Sequence, residues 1–321
     1  MTDPSSGDPD GAADSASDDG RSNGGRPDGD RAVDAADSTD PNERGDSDPV
    51  DPTDPDDPIG AEPGDSTART IASAVGVGVF GVFAYVALSF GFAIVGQLVG
   101  GFSLVVSLAL SLAVGQYLAF GGVGLLYLRL RGFDRSRIVA YLGVRRPSAV
   151  EFVIAVVGAV ATFGVAIVLS TIVLSTGAEP AQNQGAQVAM QNPAIIPLIV
   201  VAMFLVVGPC EEFLFRGVVQ SRLRESLSAV PAIVIASAVF APAHVISLSG
   251  GGVTGVLLGI GLLVIPSLLF GAVYEYTGNL VVVALMHGTY NSILLSLLYI
   301  AIAYGPELED AAASGATLLP I

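Results

Sequence analysis

Between Arg69 and Arg129 the chain carries no charged side chain at all. A helix crosses the hydrocarbon core of a bilayer with about 20 apolar residues. The uncharged stretch is therefore long enough for two spans, expected near 71–96 and 100–128 with a turn around 97–101. Five further apolar runs follow, near 152–176, 194–227, 229–248, 253–274 and 279–304. The run from 177 to 193 contains Gln182, Asn183, Gln184 and Gln187 and reads as a loop. Gly250-Gly251-Gly252 reads as a turn. The expected fold class is all-α: a polytopic transmembrane helical bundle of about seven spans, with eight as the alternative count, preceded by a disordered acidic tail.

The tail is visible in the charge distribution. Of the 321 residues 51% are hydrophobic and 14% charged, but the formal net charge of −16 lies wholly in residues 1–68. That segment is Asp, Pro, Gly, Ser and Ala with almost no large apolar side chain, so it cannot bury enough surface to offset its ordering entropy. It also lacks the basic start and apolar stretch of a signal peptide. The divisions expected are a tail 1–68, a pair of spans with an Arg-rich cytoplasmic segment 69–139, a core 140–305 and a short C-terminal tail 306–321. The single cysteine, Cys210, excludes an intrachain disulfide and a multi-cysteine metal cluster. No nucleic-acid partner is expected; the expected surroundings are the lipid bilayer.

Arginine placement predicts an orientation. Arg129, Arg131, Arg135, Arg137, Arg145 and Arg146 cluster after the second span, and the segments expected on the other side carry no basic residue, only Glu179, Glu307, Glu309 and Asp310. By the positive-inside rule the N-terminal tail is cytoplasmic and the C-terminus lies outside.

Ionisable groups inside a span are costly and mark functional sites. Here they gather in three places: Glu211, Glu212 and Arg216 in the fourth span, Phe240 to His244 in the fifth, and His287 to Asn291 in the seventh. The chain has two histidines, both in spans. Residues four apart share a helix face, so Glu212 can pair with Arg216, and His287 and Asn291 can aim at one point. Glu211, about 100° further round, is free of that pair. Glu211 and His244 lie nearly equally far from the turn near Ser228, about 25 Å at 1.5 Å per residue, so they should meet at one depth. Pro209 and Pro242 interrupt the two helices beside these groups. Taken singly, each feature has a bland explanation: a packing clamp for Glu212–Arg216, an interhelical hydrogen bond for a histidine, packing for Cys210 and Phe240. One spare carboxylate, two imidazoles and an amide on three helices exceed that account.

At these residues the sequence resembles the CAAX-protease and bacteriocin-processing (CPBP) family, which includes the type II CAAX prenyl endopeptidases and Abi-type proteins. The family motifs EExxxR, FxxxH and HxxxN stand here as Glu211-Glu212-Phe213-Leu214-Phe215-Arg216, Phe240-Ala241-Pro242-Ala243-His244 and His287-Gly288-Thr289-Tyr290-Asn291. Leu142-Gly143-Val144-Arg145-Arg146-Pro147-Ser148 is similar to the family's entry into its core, and the resemblance covers roughly 140–305. It implies an intramembrane endopeptidase acting on a membrane-associated protein or peptide. Glu211 and His244 would activate water, His287 and Asn291 would stabilise the oxyanion, and Glu212, Arg216 and Phe240 would support the site. Two readings of cofactor use stay open. Glu211, His244 and His287 could supply three ligands to a catalytic zinc, although no His-Glu-x-x-His helix is present; alternatively the glutamate activates water without a metal. Two other functions remain as alternatives: a proton-coupled transporter, against which stands the lack of repeated halves, and a non-catalytic scaffold or immunity-type protein of the same fold.

Overall fold

The computed structural model describes residues 65–313, with side chains through 305. The acidic segment 1–64, expected to be disordered, and residues 314–321 lie outside the described residues.

Among the described residues seven helices are long and apolar enough to cross a membrane: Thr67–Leu98, Leu104–Leu130, Ala149–Ser175, Pro193–Arg224, Ala229–Ser247, Gly252–Thr277 and Leu280–Gly305. They are called the first to seventh spans below. Their lipid-facing surfaces are apolar, with Phe80, Phe83 and Phe90 of the first span and Leu198, Val201 and Leu205 of the fourth at least half exposed. Such surfaces suit hydrocarbon, where every backbone polar group is satisfied within its own helix. The chain is an integral membrane protein.

Polar chemistry starts the helices. Ser66 caps the first span by accepting from the Arg69 N–H, and Ser148 with Glu151 forms a reciprocal capping box at the start of the third. Gly100 and Gly101, at φ 85° and 102°, make the turn between the first two spans in a conformation that other L-residues avoid.

Three expectations are corrected. The 177–193 segment is not a plain loop. It forms a short strand, β1 (Gln182–Asn183), and then a helix Gln184–Gln191 whose N-cap is Asn183. β1 pairs antiparallel with β2 (Leu248–Ser249), Gln182 opposite Ser249, a two-residue exception to the all-helical fold. The folded chain also begins before residue 69, because Asp65 pairs with Arg222 and the first helix opens at Thr67. At the other end the last helix continues to Ala313, through much of the expected C-terminal tail.

The fourth span packs against the first, fifth and seventh. Leu214, Phe215, Arg216, Val218 and Val219 are all but inaccessible. This span and the second contain widened, π-helical stretches. In the second they are Ala109–Gly115 and Tyr117–Gly122, and in the fourth Met203–Val207 and Phe213–Gln220, on either side of α-helical Gly208–Glu212. π-Helical turns are rare and concentrate at functional sites.

At the arginine-rich end an ionic cluster ties spans together. Glu225 accepts two hydrogen bonds from Arg131, at 2.7 and 2.9 Å, and one from the Tyr141 hydroxyl at 2.7 Å. It also pairs with Arg222, which reaches Asp65. The Arg222 guanidinium holds the Asp65 carboxyl below its ordinary range, and burial pushes the Tyr141 hydroxyl well above its own. Arg145 joins Glu151 to the carbonyl of Thr277.

Candidate active site

The helix Gly208–Glu212 delivers the two carboxylates because the chain on both sides of it is irregular. Pro209 has no N–H to offer the carbonyl of Leu205, four residues earlier. The Tyr117 hydroxyl of the second span donates to that carbonyl at 2.5 Å. The backbone break is thus filled by a neighbouring helix. Gly208 lets the seventh span come close: a Cβ there would lie 2.8 Å from the carbonyl of Ala284.

Glu211 and Glu212 then enter different surroundings. Glu212 is fully buried. One of its oxygens accepts from His287 Nδ1 at 2.7 Å, and the other lies 3.2 Å from Arg216 Nε in an ion pair that is not aligned as a hydrogen bond. Arg216, 1% exposed, donates through Nη2 to both the carbonyl and the hydroxyl of Ser267, each at 2.9 Å. Its guanidinium stands 4.6 Å from the centre of the Phe240 ring. Phe240 also packs edge-on to Phe215 and lies 4.6 Å, ring to ring, from His244. Glu212, Arg216 and Phe240 are therefore one buried unit whose contacts join the fourth, fifth, sixth and seventh spans.

Glu211 is more open. Its Oε1 accepts from the Gln116 side-chain amide at 3.1 Å. Its Oε2 is buried with no hydrogen-bond partner among the described residues. Two imidazole nitrogens, His244 Nε2 and His287 Nε2, each lie 3.9 Å from that oxygen. This is too long for a hydrogen bond and within the reach of one bridging water. The histidine and the glutamate thus meet at one depth, as the residue spacing predicts.

Each imidazole is oriented through its other nitrogen. His244 Nδ1 lies 3.2 Å from the carbonyl of Phe240, and His287 Nδ1 faces the Glu212 carboxylate. An N–H belongs at each Nδ1, because its partner can only accept. In the neutral ring Nε2 is then an acceptor. Three acceptors consequently converge: Glu211 Oε2, His244 Nε2 and His287 Nε2. A water molecule donating to two of them becomes a stronger nucleophile. His287 can donate to an oxyanion through Nε2 only as an imidazolium. His244 has 23% of its side chain exposed against 5% for His287, which puts the approach to the site on the His244 side.

As zinc ligands, the two imidazoles have suitable support, since each Nδ1 is held by an acceptor. The spacing does not suit ligation: ligands of a tetrahedral zinc at roughly 2.1 Å are about 3.3 Å apart, against 3.9 Å for both histidines here. Among the described residues no set of three such side chains closes into a metal cage.

Asn291 is placed one turn beyond His287 on the same helix, and its amide donates to the Met203 sulfur at 3.5 Å. It makes no hydrogen bond with Glu211, His244 or His287 in this arrangement. Gln116, Tyr117 and Ser267 escape sequence reasoning. Gln116 had a usable signal, an amide in the middle of a long uncharged stretch; a hydroxyl such as Ser267 has none, since serines in helices commonly bond their own backbone.

Comparison with curated proteins and with solved structures gave no match. Comparison with protein families gave one: residues 193–293 match the family model of type II CAAX prenyl endopeptidase Rce1-like proteins. The match spans the fourth helix to the middle of the seventh, including every motif residue from Glu211 to Asn291 and excluding Gln116 and the third span. The resemblance carried by the three motifs is therefore borne out over residues 193–293, where the chain is similar to the Rce1-like type II CAAX prenyl endopeptidases.

Proposed function

We propose that the protein is an intramembrane endopeptidase that hydrolyses a peptide bond of a membrane-associated protein or peptide with water activated by Glu211 and His244. One observation carries the reading: a buried carboxylate oxygen with no hydrogen-bond partner among the described residues, faced by two imidazole nitrogens at bridging-water distance. Water held there gives one proton to Glu211 as its oxygen bonds to the substrate carbonyl carbon. The carbonyl oxygen becomes an oxyanion, met by the Asn291 amide as donor, which His287 would join only if its Nε2 took up a proton; one such donor is worth about 3 kcal/mol. The C–N bond then breaks, and the proton passes from Glu211, through His244, to the leaving amine. No step requires a metal. Against a proton-coupled transporter stands the lack of repeated halves with matching interrupted helices. A scaffold would keep the Glu212–Arg216 clamp but has no use for a buried Glu211 oxygen left without a hydrogen-bond partner among the described residues.

The test is a comparison of wild type with Glu211→Gln, first by membrane proteomics to find peptides released only by wild type, then with one such peptide and purified protein in detergent. The variant is expected to keep the wild-type melting temperature and to lose at least 10³-fold in kcat, on the order of what a general acid-base group contributes. Activity is expected to survive dialysis against a zinc chelator. Full activity of Glu211→Gln would overturn the reading, and loss on chelation with recovery on zinc addition would overturn its metal-free form.

A further inference from the structure

The fourth-, fifth- and seventh-span residues above leave one contact of Glu211 unaccounted for. Gln116 comes from the second span, outside the segment matched to the protease family. It is 4% exposed. It stands at the junction of two π-helical stretches, Ala109–Gly115 and Tyr117–Gly122. Its neighbour Tyr117 is the residue that fills the Pro209 break. Its Nε2 donates to Glu211 Oε1 at 3.1 Å, and its own carbonyl oxygen is buried without a partner among the described residues.

A buried amide half satisfied by a carboxylate is a poor packing element, since the unmet oxygen costs free energy that a leucine or methionine would not. The arrangement makes sense for what it does to Glu211. A carboxylate on a single side chain can rotate and exchange its oxygens. One oxygen fixed by a donor cannot leave its place, so the other is fixed too. We propose that Gln116 is a positioning residue for Glu211: by holding Oε1 it keeps Oε2 turned toward His244 and His287, where the reactive water binds. The second span thereby becomes part of the site, and the widened turns around Gln116 aim the amide at the fourth span. The inference rests on the hydrolytic reading only for its kinetic consequence; the contact itself and its effect on the Glu211 carboxylate do not depend on it.

Two variants separate positioning from bulk. Gln116→Met keeps the length and removes the donor, and Gln116→Asn keeps the amide but is one methylene too short to reach. Losing a hydrogen bond to a charged group is worth roughly a 10- to 100-fold effect. Both variants are expected to lower kcat by about that factor and to leave KM within about twofold, because neither touches the substrate path on the His244 side. An activity-independent readout accompanies this: the infrared carboxylate band that disappears in Glu211→Gln is assigned to Glu211, and it should shift in Gln116→Met. A Glu211 band unmoved in Gln116→Met, or a uniform loss of folded protein with unchanged kcat per folded molecule, overturns the inference. A shifted band in a protein that releases no peptide keeps Gln116 as the partner of Glu211 and overturns the hydrolytic reading instead.

Discussion

Two adjacent glutamates share one helix turn, and their different partners set different consequences for mutation. Glu212 serves Arg216 and His287 together. Glu212→Gln leaves Arg216 buried without its counter-charge, and breaking such a pair costs about 3–5 kcal/mol. Poor expression and a lowered melting temperature are expected as its main symptom. Activity per folded molecule should fall as well, because His287 loses the carboxylate that orients it. Arg216→Lys tests the same unit from the other side. A lysine cannot reproduce the planar fork that spans Glu212 and Ser267 or its stacking on Phe240. It should destabilise by about 3 kcal/mol, the scale of one or two hydrogen bonds to a charged group. A thermal melt that leaves both variants at the wild-type value would show that the buried unit does not hold the bundle. If Glu212→Gln proved stable and dead while Glu211→Gln stayed active, the roles of the two carboxylates would be exchanged.

At the scale of elements, the fourth and seventh spans meet through glycines, and the two glycines predict different costs. A Cβ on Gly208 would stand 2.8 Å from the Ala284 carbonyl and 2.9 Å from the Met203 carbonyl, both backbone atoms. A Cβ on Gly288 would stand 2.7 Å from the Phe204 ring, a side chain that can turn. Gly208→Ala should therefore cost about 1–3 kcal/mol, the range for overpacking, and push Glu211 away from His287. Gly288→Ala should cost less. Equal melting temperatures for the two would contradict this packing. The spans themselves are legible in the sequence because each is a long apolar window, and the Glu212–Arg216 pair is legible because helix spacing alone brings its members together. The contact of Glu212 with His287 is not, since 75 residues of chain separate the two and only the packing of the spans decides it. Nor is the segment 182–191, where a two-residue strand finds its partner at 248–249 and a polar helix of eight residues lacks any sustained apolar period. The π-helical turns leave no mark in composition. Local compromises accompany them, such as the missing N–H of Pro209, where a tyrosine 88 residues before Leu205 donates to the Leu205 carbonyl.

Across the whole molecule, charge decides which way the bundle faces the two sides of the membrane. Among the described residues Arg69, Arg129, Arg135, Arg137, Arg145, Arg146 and Arg224 are exposed. By the alternation of the spans, all lie at the ends of the bundle that share a side with the start of the first helix. The opposite ends carry the segment from Gly177 through β1 and the following helix, which has Glu179 and no arginine. Basic residues beside an anionic leaflet gain about 1 kcal/mol each, so seven of them outweigh any preference that the acidic residues exert. We therefore propose that the arginine-rich end faces the cytoplasm and the 177–193 segment faces outward. Cysteine labelling in intact cells checks this directly, because Cys210 is 3% exposed and should stay silent in the parent protein. Ser136→Cys, on the helix Arg135–Tyr141, is expected to react only after permeabilisation, and Ser175→Cys, at the end of the third span, with a membrane-impermeant reagent from outside. Labelling of Ser175→Cys from the cytoplasmic side alone would invert the topology. It would also move the mouth of the site, because His244 approaches the same face as β2, four residues further along the chain and paired with β1 of the 177–192 segment. If the proposed orientation and the hydrolytic reading both hold, a substrate would be expected to reach Glu211 from the outer half of the bilayer.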